Sequence, residues 1–348
     1  MDWLRPFRVR RAFFTGLLHI ALVTIVIGAL VTHYFGVQGE IHLRNDKAES
    51  LSASSKTVSL FLWDFRIIYD AENNPVDFVS ELRMIDRNRQ PMQIDEGVVR
   101  MNKPLKYHGW RFCQSDYDSD ERGVVLSYNY DPWGISITYT GYALLLLGMI
   151  TFFFQKNTYF RALWNKMIAA FPVYGRVGAG LFAVLVIVLA FVMTKVVTPK
   201  PPLQPVLQTP LLGIHVSVIM LSYTLFAVVM INGILGLCVA RWRETLMNLS
   251  QLLLYPAVFC LTAGIFIGAV WANLSWGRYW GWDPKETWAL ITMFVYAAMI
   301  HWPVILKARG RKPASQVTYH ILAIIAFVFV LFTYFGVNHL LGGLHSYA

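Results

Sequence analysis

The chain has 348 residues, of which 56% are hydrophobic and only 14% charged, with a formal net charge of +10 and a mean hydropathy of +0.48. That balance excludes an ordinary soluble globular domain and marks an integral membrane protein. It also excludes a nucleic-acid partner, because a nucleic-acid binder gathers its cations on one soluble face, whereas most of these lie between apolar runs.

The first apolar run, about 12–36, is long enough to span a bilayer and lacks a small-residue cleavage site, so it is expected to stay as an anchor. Further runs of spanning length fall near 135–155, 177–197, 212–237, 250–270, 287–306 and 316–336, which predicts about seven transmembrane helices. With the N-terminus cytoplasmic, the inner segments carry Arg5, Arg8, Arg10 and Arg11, then Lys156, Arg161, Lys166 and Arg176, then Arg241 and Arg243, then Lys307, Arg309, Arg311 and Lys312. Only Asp2 and Glu244 oppose them, so the positive-inside rule holds at every loop and sets the C-terminus outside.

Between the first two runs lies a polar stretch, 37–134, that holds 16 of the 20 acidic residues. Alternating segments such as Thr57–Leu62 and Val124–Tyr130, with turn signals at Asn73-Asn74-Pro75 and Asp95-Glu96-Gly97, predict a small β-rich external (periplasmic) domain. The Pro-rich segment Thr198-Pro199-Lys200-Pro201-Pro202 reads as an external linker. Cys113, Cys238 and Cys260 are far apart and form no CxxC, so neither a thiol–disulfide centre nor a zinc knuckle is encoded.

The segment 271–288 concentrates five tryptophans, Trp271, Trp276, Trp280, Trp282 and Trp288, with Tyr279, on the outer side. One or two tryptophans at a membrane boundary are an interfacial belt. Five, interleaved with Gly277 and Gly281 and followed by Asp283-Pro284-Lys285-Glu286, point to a shaped surface for a flat apolar ligand, with Arg278 or Lys285 placed to meet its carboxylates. His215 near the outer start of the fourth span and His345 beyond the seventh flank that surface, with His339 an alternative to His345. Two imidazoles there suit the axial positions of one heme iron. Inside the bilayer, His19 is roughly 10 Å from the inner face and His301 roughly 9 Å, counting 1.5 Å per helical residue. An intramembrane histidine needs a partner, and equal depth makes each the other's, through a second iron; each bonding to a neighbouring helix is the plainer alternative.

The stretch WGRYWGWDPKETWALI resembles the tryptophan-rich WWD signature of the heme-handling proteins of cytochrome c biogenesis. TPLLGIHVSVIMLSY and GVNHLLGGLHSYA are similar to two segments of the CcsA branch, and LLHIALVTIVIGALVTHYFG with the following domain and return span resembles ResB (CcsB). The whole resembles a short fused CcsB–CcsA, the system II cytochrome c synthase, with a ResB-like half at 1–155 and a CcsA-like half at 156–348. The family's ResB half usually begins with further helices and has a longer external domain, and its C-terminus tends to read HSYG where this chain has HSYA.

That resemblance implies a cytochrome c heme lyase of the bacterial cytoplasmic (inner) membrane. Heme b is its substrate and bound ligand, taken up at His19 and His301 and presented outside by His215, His345 and the loop with Asp283. The implied partners are apocytochrome c with its CxxCH, thiol-reducing proteins of the periplasm, and a separate subunit supplying the missing helices. A heme exporter serving a separate ligase, and a quinone-linked bis-His heme redox protein, are the alternatives. No general base is identifiable, and no catalytic residue is assigned.

Overall fold

A computed structural model describes residues 5–45, 47–53, 56–88, 90, 93–156, 158–170, 184, 187–189, 191–192, 204–310 and 315–341. Helix α1 (Arg5–Phe35) and helix α2 (Gly134–Phe154) lie antiparallel, and the whole β-rich region is inserted between them. Their contact is built from small residues. Gly134, Thr138, Gly141, Leu145 and Gly148 are buried along one face of α2. A Cβ at Gly141 would stand 2.9 Å from the Ile25 backbone nitrogen, and one at Gly28 would meet the Thr138 nitrogen at 2.7 Å. Where lipid tails remove the hydrophobic drive between helices, such close backbone approach supplies the van der Waals attraction that replaces it.

The helix pair continues directly into a strand pair. Strand β1 (Val37–Arg44) runs antiparallel to β8 (Gly123–Tyr130), in register from Val37 opposite Tyr130 to Arg44 opposite Gly123. At the seam, Thr32 Oγ1 donates to Asp131 Oδ2 at 2.6 Å and the Gly134 N–H donates to Asp131 Oδ1 at 2.7 Å. One carboxylate thus ties the end of α1 to the start of α2. The other strands are β2 (Glu49–Ala53), β3 (Lys56–Tyr69), β4 (Pro75–Asp86), β5 (Ile94–Arg100), β6 (Leu105–Tyr107) and β7 (Trp110–Tyr117). Two four-stranded antiparallel sheets, β1-β8-β7-β6 and β2-β3-β4-β5, enclose a core that includes Leu43, Leu60, Leu82, Phe112 and Leu126.

The turn at Asn73-Asn74-Pro75 is present: Asn73 takes φ 64°, and Asp70 Oδ1 accepts the Asn74 N–H at 2.7 Å. The turn expected at Asp95-Glu96-Gly97 is not, because those residues lie inside β5, with Gly97 opposite Leu82. Gly97 is there for space: a Cβ would fall 2.7 Å from Leu105 and 2.8 Å from Met84. The glycine read as a turn signal is a close-approach site within a strand.

The remaining helices are α3 (Tyr159–Ala170), α4 (Pro210–Cys238), α5 (Arg243–Trp276), α6 (Pro284–Ala308), α7 (Gln316–Leu331) and, after a π-helical turn at Phe332–Gly336, α8 (Val337–Leu340). Among the described residues, five stretches have the length and apolarity to cross a membrane: Gly16–Phe35, Gly134–Ala169, Pro210–Cys238, Ala240–Trp276 and Gln316–Leu340. The segment expected at 287–306 is the greater part of the 25-residue α6. The run expected at 177–197 lies almost wholly outside the described residues.

Helices α4 to α7 share one core, in which the Phe226 and Tyr296 rings stack at 3.6 Å. His320 is fully buried there, and its Nε2–H donates to the Arg243 carbonyl at 3.0 Å. That carbonyl contact gives it a structural place, apart from the other histidines. The α1–α2 packing predicts that Gly141→Val lowers the thermal midpoint of the detergent-purified protein, by an overpacking cost of about 1–3 kcal/mol. Leu146→Val on the exposed side of α2 is the control and is expected to leave the midpoint within a degree or so.

Candidate functional site

The outer site is made by the way α5 stops and α6 starts. Helix α5 carries Trp271 and Trp276 on its last turns and ends at Gly277, which takes the left-handed conformation at φ 76°. The tryptophan-rich segment is therefore largely helical, and its loop proper is only 277–283. The start of α6 is a reciprocal cap. Asp283 Oδ1 accepts the Lys285 N–H at 2.9 Å, while Glu286 Oε2 accepts the N–H groups of Gly281 at 2.9 Å and Asp283 at 3.3 Å. Asp at the cap, Pro284 in the first helical position and Glu286 three residues on satisfy donors that a helix start leaves open. The sequence Asp-Pro-Lys-Glu is thus first a helix-initiation device, and Asp283 is 5% exposed within it.

The loop closes one side of a cavity of about 320 Å³. Its wall combines His215 from α4, Trp271 from α5, Tyr279 and Trp280 from the loop, Lys285 and Glu286 from α6, and Tyr334 and Asn338 beyond α7. The π-helical turn at Phe332–Gly336 inserts a residue into the helical repeat just where Thr333 and Tyr334 reach the cavity. Lys285 Nζ donates to Asn338 Oδ1 at 2.9 Å, bridging α6 to α8. The lining is aromatic and apolar with a few convergent polar groups, the usual make-up of a small-molecule site.

His215 is oriented by its backbone neighbour. Its Nδ1 lies 2.8 Å from the Gly264 carbonyl oxygen. A carbonyl only accepts, so Nδ1 carries the proton and Nε2 is the basic nitrogen of the neutral ring, the arrangement a metal-ligating imidazole needs. Gly268 makes room for the ring, since a Cβ there would come within 2.6 Å of it.

The other predicted residues fall around this wall. Trp276 packs on Trp271 with ring centroids 4.8 Å apart, and Trp282 stands 6.0 Å from Trp280, 74% exposed and in the left-handed region at φ 55°. A bulky residue held there is strained, and strain of that kind gathers at ligand clamps. Arg278 is exposed and packs over Gly281. His339 is exposed on α8, next to Asn338. His345 lies outside the described residues. Tyr279, expected with the tryptophans, joins the wall, whereas Tyr334 and Asn338 escape sequence reasoning, since nothing in a lone aromatic or amide tells which helix turn faces a cavity.

The β-sandwich sits directly on this loop. Ser127 Oγ donates to the Trp276 carbonyl and Asn129 Nδ2 to the Gly277 carbonyl, both at 3.2 Å. Ser275 Oγ donates to Asn102 Oδ1 at 2.6 Å, and Asn102 Nδ2 in turn donates to the carbonyls of Pro205 and Val206. The last carbonyls of α5 thus find donors on the inserted domain.

A second pair of histidines meets elsewhere. His19 on α1 and His301 on α6 have ring centroids 6.3 Å apart at an interplanar angle of 83°, and both rings are exposed. A metal–imidazole nitrogen bond is about 2.0–2.1 Å, so two imidazoles on one metal stand roughly 6 Å apart centre to centre. His301 Nδ1 lies 2.8 Å from the Ala297 carbonyl, so Nδ1 again carries the proton and Nε2 is the basic nitrogen. The residues present fit a bis-imidazole metal centre at this place.

Two changes test the geometry of the outer site. Gly268→Val is expected to displace the His215 ring and lower the thermal midpoint through an overpacking cost of about 1–3 kcal/mol, with the helical circular dichroism unchanged. Glu286→Ala removes the acceptor of both loop N–H groups and is expected to lower stability by about 1 kcal/mol and to shift the tryptophan emission to longer wavelength; an unchanged spectrum would show that the cap does not hold the loop.

Residues 133–345 match the family described as cytochrome C assembly protein, and residues 11–132 match the ResB-like family. The chain is 52% identical over 104 residues to the cytochrome c biogenesis protein CcsA of Gloeobacter violaceus, covering 30% of this chain and 29% of that protein. It is 39% identical over 176 residues to CcsA of Guillardia theta, covering 42% and 56%, and 38% identical over 157 residues to Protein NrfI of Wolinella succinogenes, covering 42% and 17%. The matched parts therefore span between 17% and 56% of these curated relatives' own length.

Proposed function

The chain belongs to the cytochrome C assembly protein family, with a ResB-like half fused ahead of it in the CcsB–CcsA manner, and on that basis we propose that it is a cytochrome c synthase. It carries heme b from the inner side of the bacterial cytoplasmic membrane to the outer side and attaches it there to apocytochrome c. The observation that supports this reading most is the approach of His19 and His301 to 6.3 Å, one from each half of the fusion.

Heme taken from the inner leaflet binds between those imidazoles, through Nε2 on the His301 side. It passes outward to the aromatic cavity, where His215 supplies one axial nitrogen and His345 the other, with Trp271 and Trp280 along the porphyrin. Trp276 backs Trp271, Asp283 holds the loop in shape, and Arg278 and Trp282 form the outer rim. Each thiol of an incoming CxxCH adds across one vinyl group: sulfur bonds to one vinyl carbon, the other takes a hydrogen, and the C=C becomes a single bond. No electrons are gained or lost in that addition. The apocytochrome's own histidine then replaces an imidazole of this chain on the iron, which releases the product. Thiol-reducing periplasmic proteins keep the client cysteines as thiols. The ResB-like half is 1–155, the CcsA-like half 156–348, and the N-terminus is cytoplasmic.

The test is expression in a bacterium stripped of its own cytochrome c maturation, together with a periplasmic CxxCH cytochrome, scored by heme staining that survives denaturation. Covalent product is expected with the unchanged chain, and its loss with His19→Ala, His301→Ala, His215→Ala or His345→Ala. Heme-loaded protein without covalent cytochrome would make the chain an exporter serving another ligase. Purification without any bound heme would overturn the reading altogether.

A further inference from the structure

The face of the β-sandwich that meets the aromatic loop carries a cation that the sandwich itself does not use. Arg111 on β7 stands opposite Asn129 on β8, and Cys113 opposite Ser127, so these four side chains share one face of the sheet. Ser127 and Asn129 bond the Trp276 and Gly277 carbonyls, and Cys113 Sγ is 3.4 Å from where a Gly277 Cβ would be. Arg111 therefore faces the loop. Its Nη1 is buried without a hydrogen-bond partner, and so is Asn129 Oδ1 beside it. Among the described residues no carboxylate pairs with Arg111.

The electrostatics of its neighbours mark the same position. Burial pushes the Cys113 thiol up to about 11, against the positive charge of Arg111. Burial likewise raises the Tyr279 phenol, reinforced by Tyr139, and again the charge of Arg111 opposes it. Tyr279 is part of the cavity wall, and Arg111, which does not itself line the cavity, stands behind that wall on the opposite half of the chain. Arg111 is half-buried, but a guanidinium nitrogen buried without an acceptor is costly until an anion meets it, and the planar fork suits a carboxylate.

We infer that Arg111 is a carboxylate-binding residue of the outer site, supplied by the ResB-like half, and that it takes one propionate of the heme held there. The inference rests on the outer cavity binding heme, as proposed above. Lys285, across the cavity wall on α6, is the natural holder of the second propionate. The ligand is then gripped by both halves of the fusion, and Arg111 positions it without touching the vinyl groups.

Full-length protein carrying His301→Ala, which confines heme to the outer site, is titrated with heme b and with its dimethyl ester, whose propionates carry no charge. The starting protein is expected to prefer free heme b by about tenfold or more, the range of a hydrogen bond to a charged group. Arg111→Gln is expected to abolish that preference while leaving the ester's affinity unchanged, and Arg111→Lys to restore part of it. A preference that survives Arg111→Gln overturns the inference, as does an equal loss for both ligands, which would make Arg111 a purely structural residue. Equal binding of both ligands by the starting protein overturns it even if Arg111→Gln fails to fold. If the starting protein binds neither, the heme reading of the outer cavity falls first, a result distinct from all the others.

Discussion

Much of this molecule depends on how helix α5 is allowed to end. A helix leaves its last carbonyls without intrahelical partners, and α5, 34 residues long, ends at the rim of the outer cavity. The donors come from elsewhere: Ser127 and Asn129 of the β-sandwich reach the Trp276 and Gly277 carbonyls. A left-handed glycine then turns the chain, and an aspartate–glutamate cap starts α6 seven residues later. Loop, cavity wall and domain contact are thus one hydrogen-bonded unit, and the tryptophans are held in place by groups that are not aromatic.

How much of this was legible in the sequence depends on the physics of each signal. Long apolar runs are a strong signal, since a spanning helix needs about 20 apolar residues. Counting 1.5 Å per residue along two such runs puts His19 and His301 at one depth, and the fold brings their rings to 6.3 Å although they lie near opposite ends of the chain. The β-rich insert was legible from its alternation, but Gly97 was misread: a glycine that admits Leu105 and one that makes a turn look the same in sequence. Asp283 and Glu286 suit a structural or a propionate-orienting role equally well in sequence, and the cap geometry gives them the structural one. Arg111 left no trace. Its place facing the loop follows from strand register and from which face of a sheet meets a segment more than 150 residues away, and neither is local information.

The two halves contribute unlike things. The ResB-like half has small-residue helix packing and a sandwich core of its own. The CcsA-like half has the cavity, and every residue that lines it belongs to that half. Yet His19 stands against His301, and the sandwich against the end of α5, so neither histidine pair nor loop is understood from one half alone. Joining the two in one chain fixes their proportion at one to one and removes the entropy cost of their association.

The seam between α1 and β1 has a mechanical consequence. Only Gly36 separates helix from strand on one side, and three residues separate β8 from α2 on the other, with Asp131 clamping both. There is no hinge, so a tilt of the sandwich is a tilt of α1. From the seam to His19 is roughly 25 Å of helix at 1.5 Å per residue, and a tilt of about 5° swings that imidazole by roughly 2 Å, a displacement close to one metal–nitrogen bond length. The orientation of the sandwich and the position of the His19 ring, roughly 25 Å along the same helix, are therefore set together.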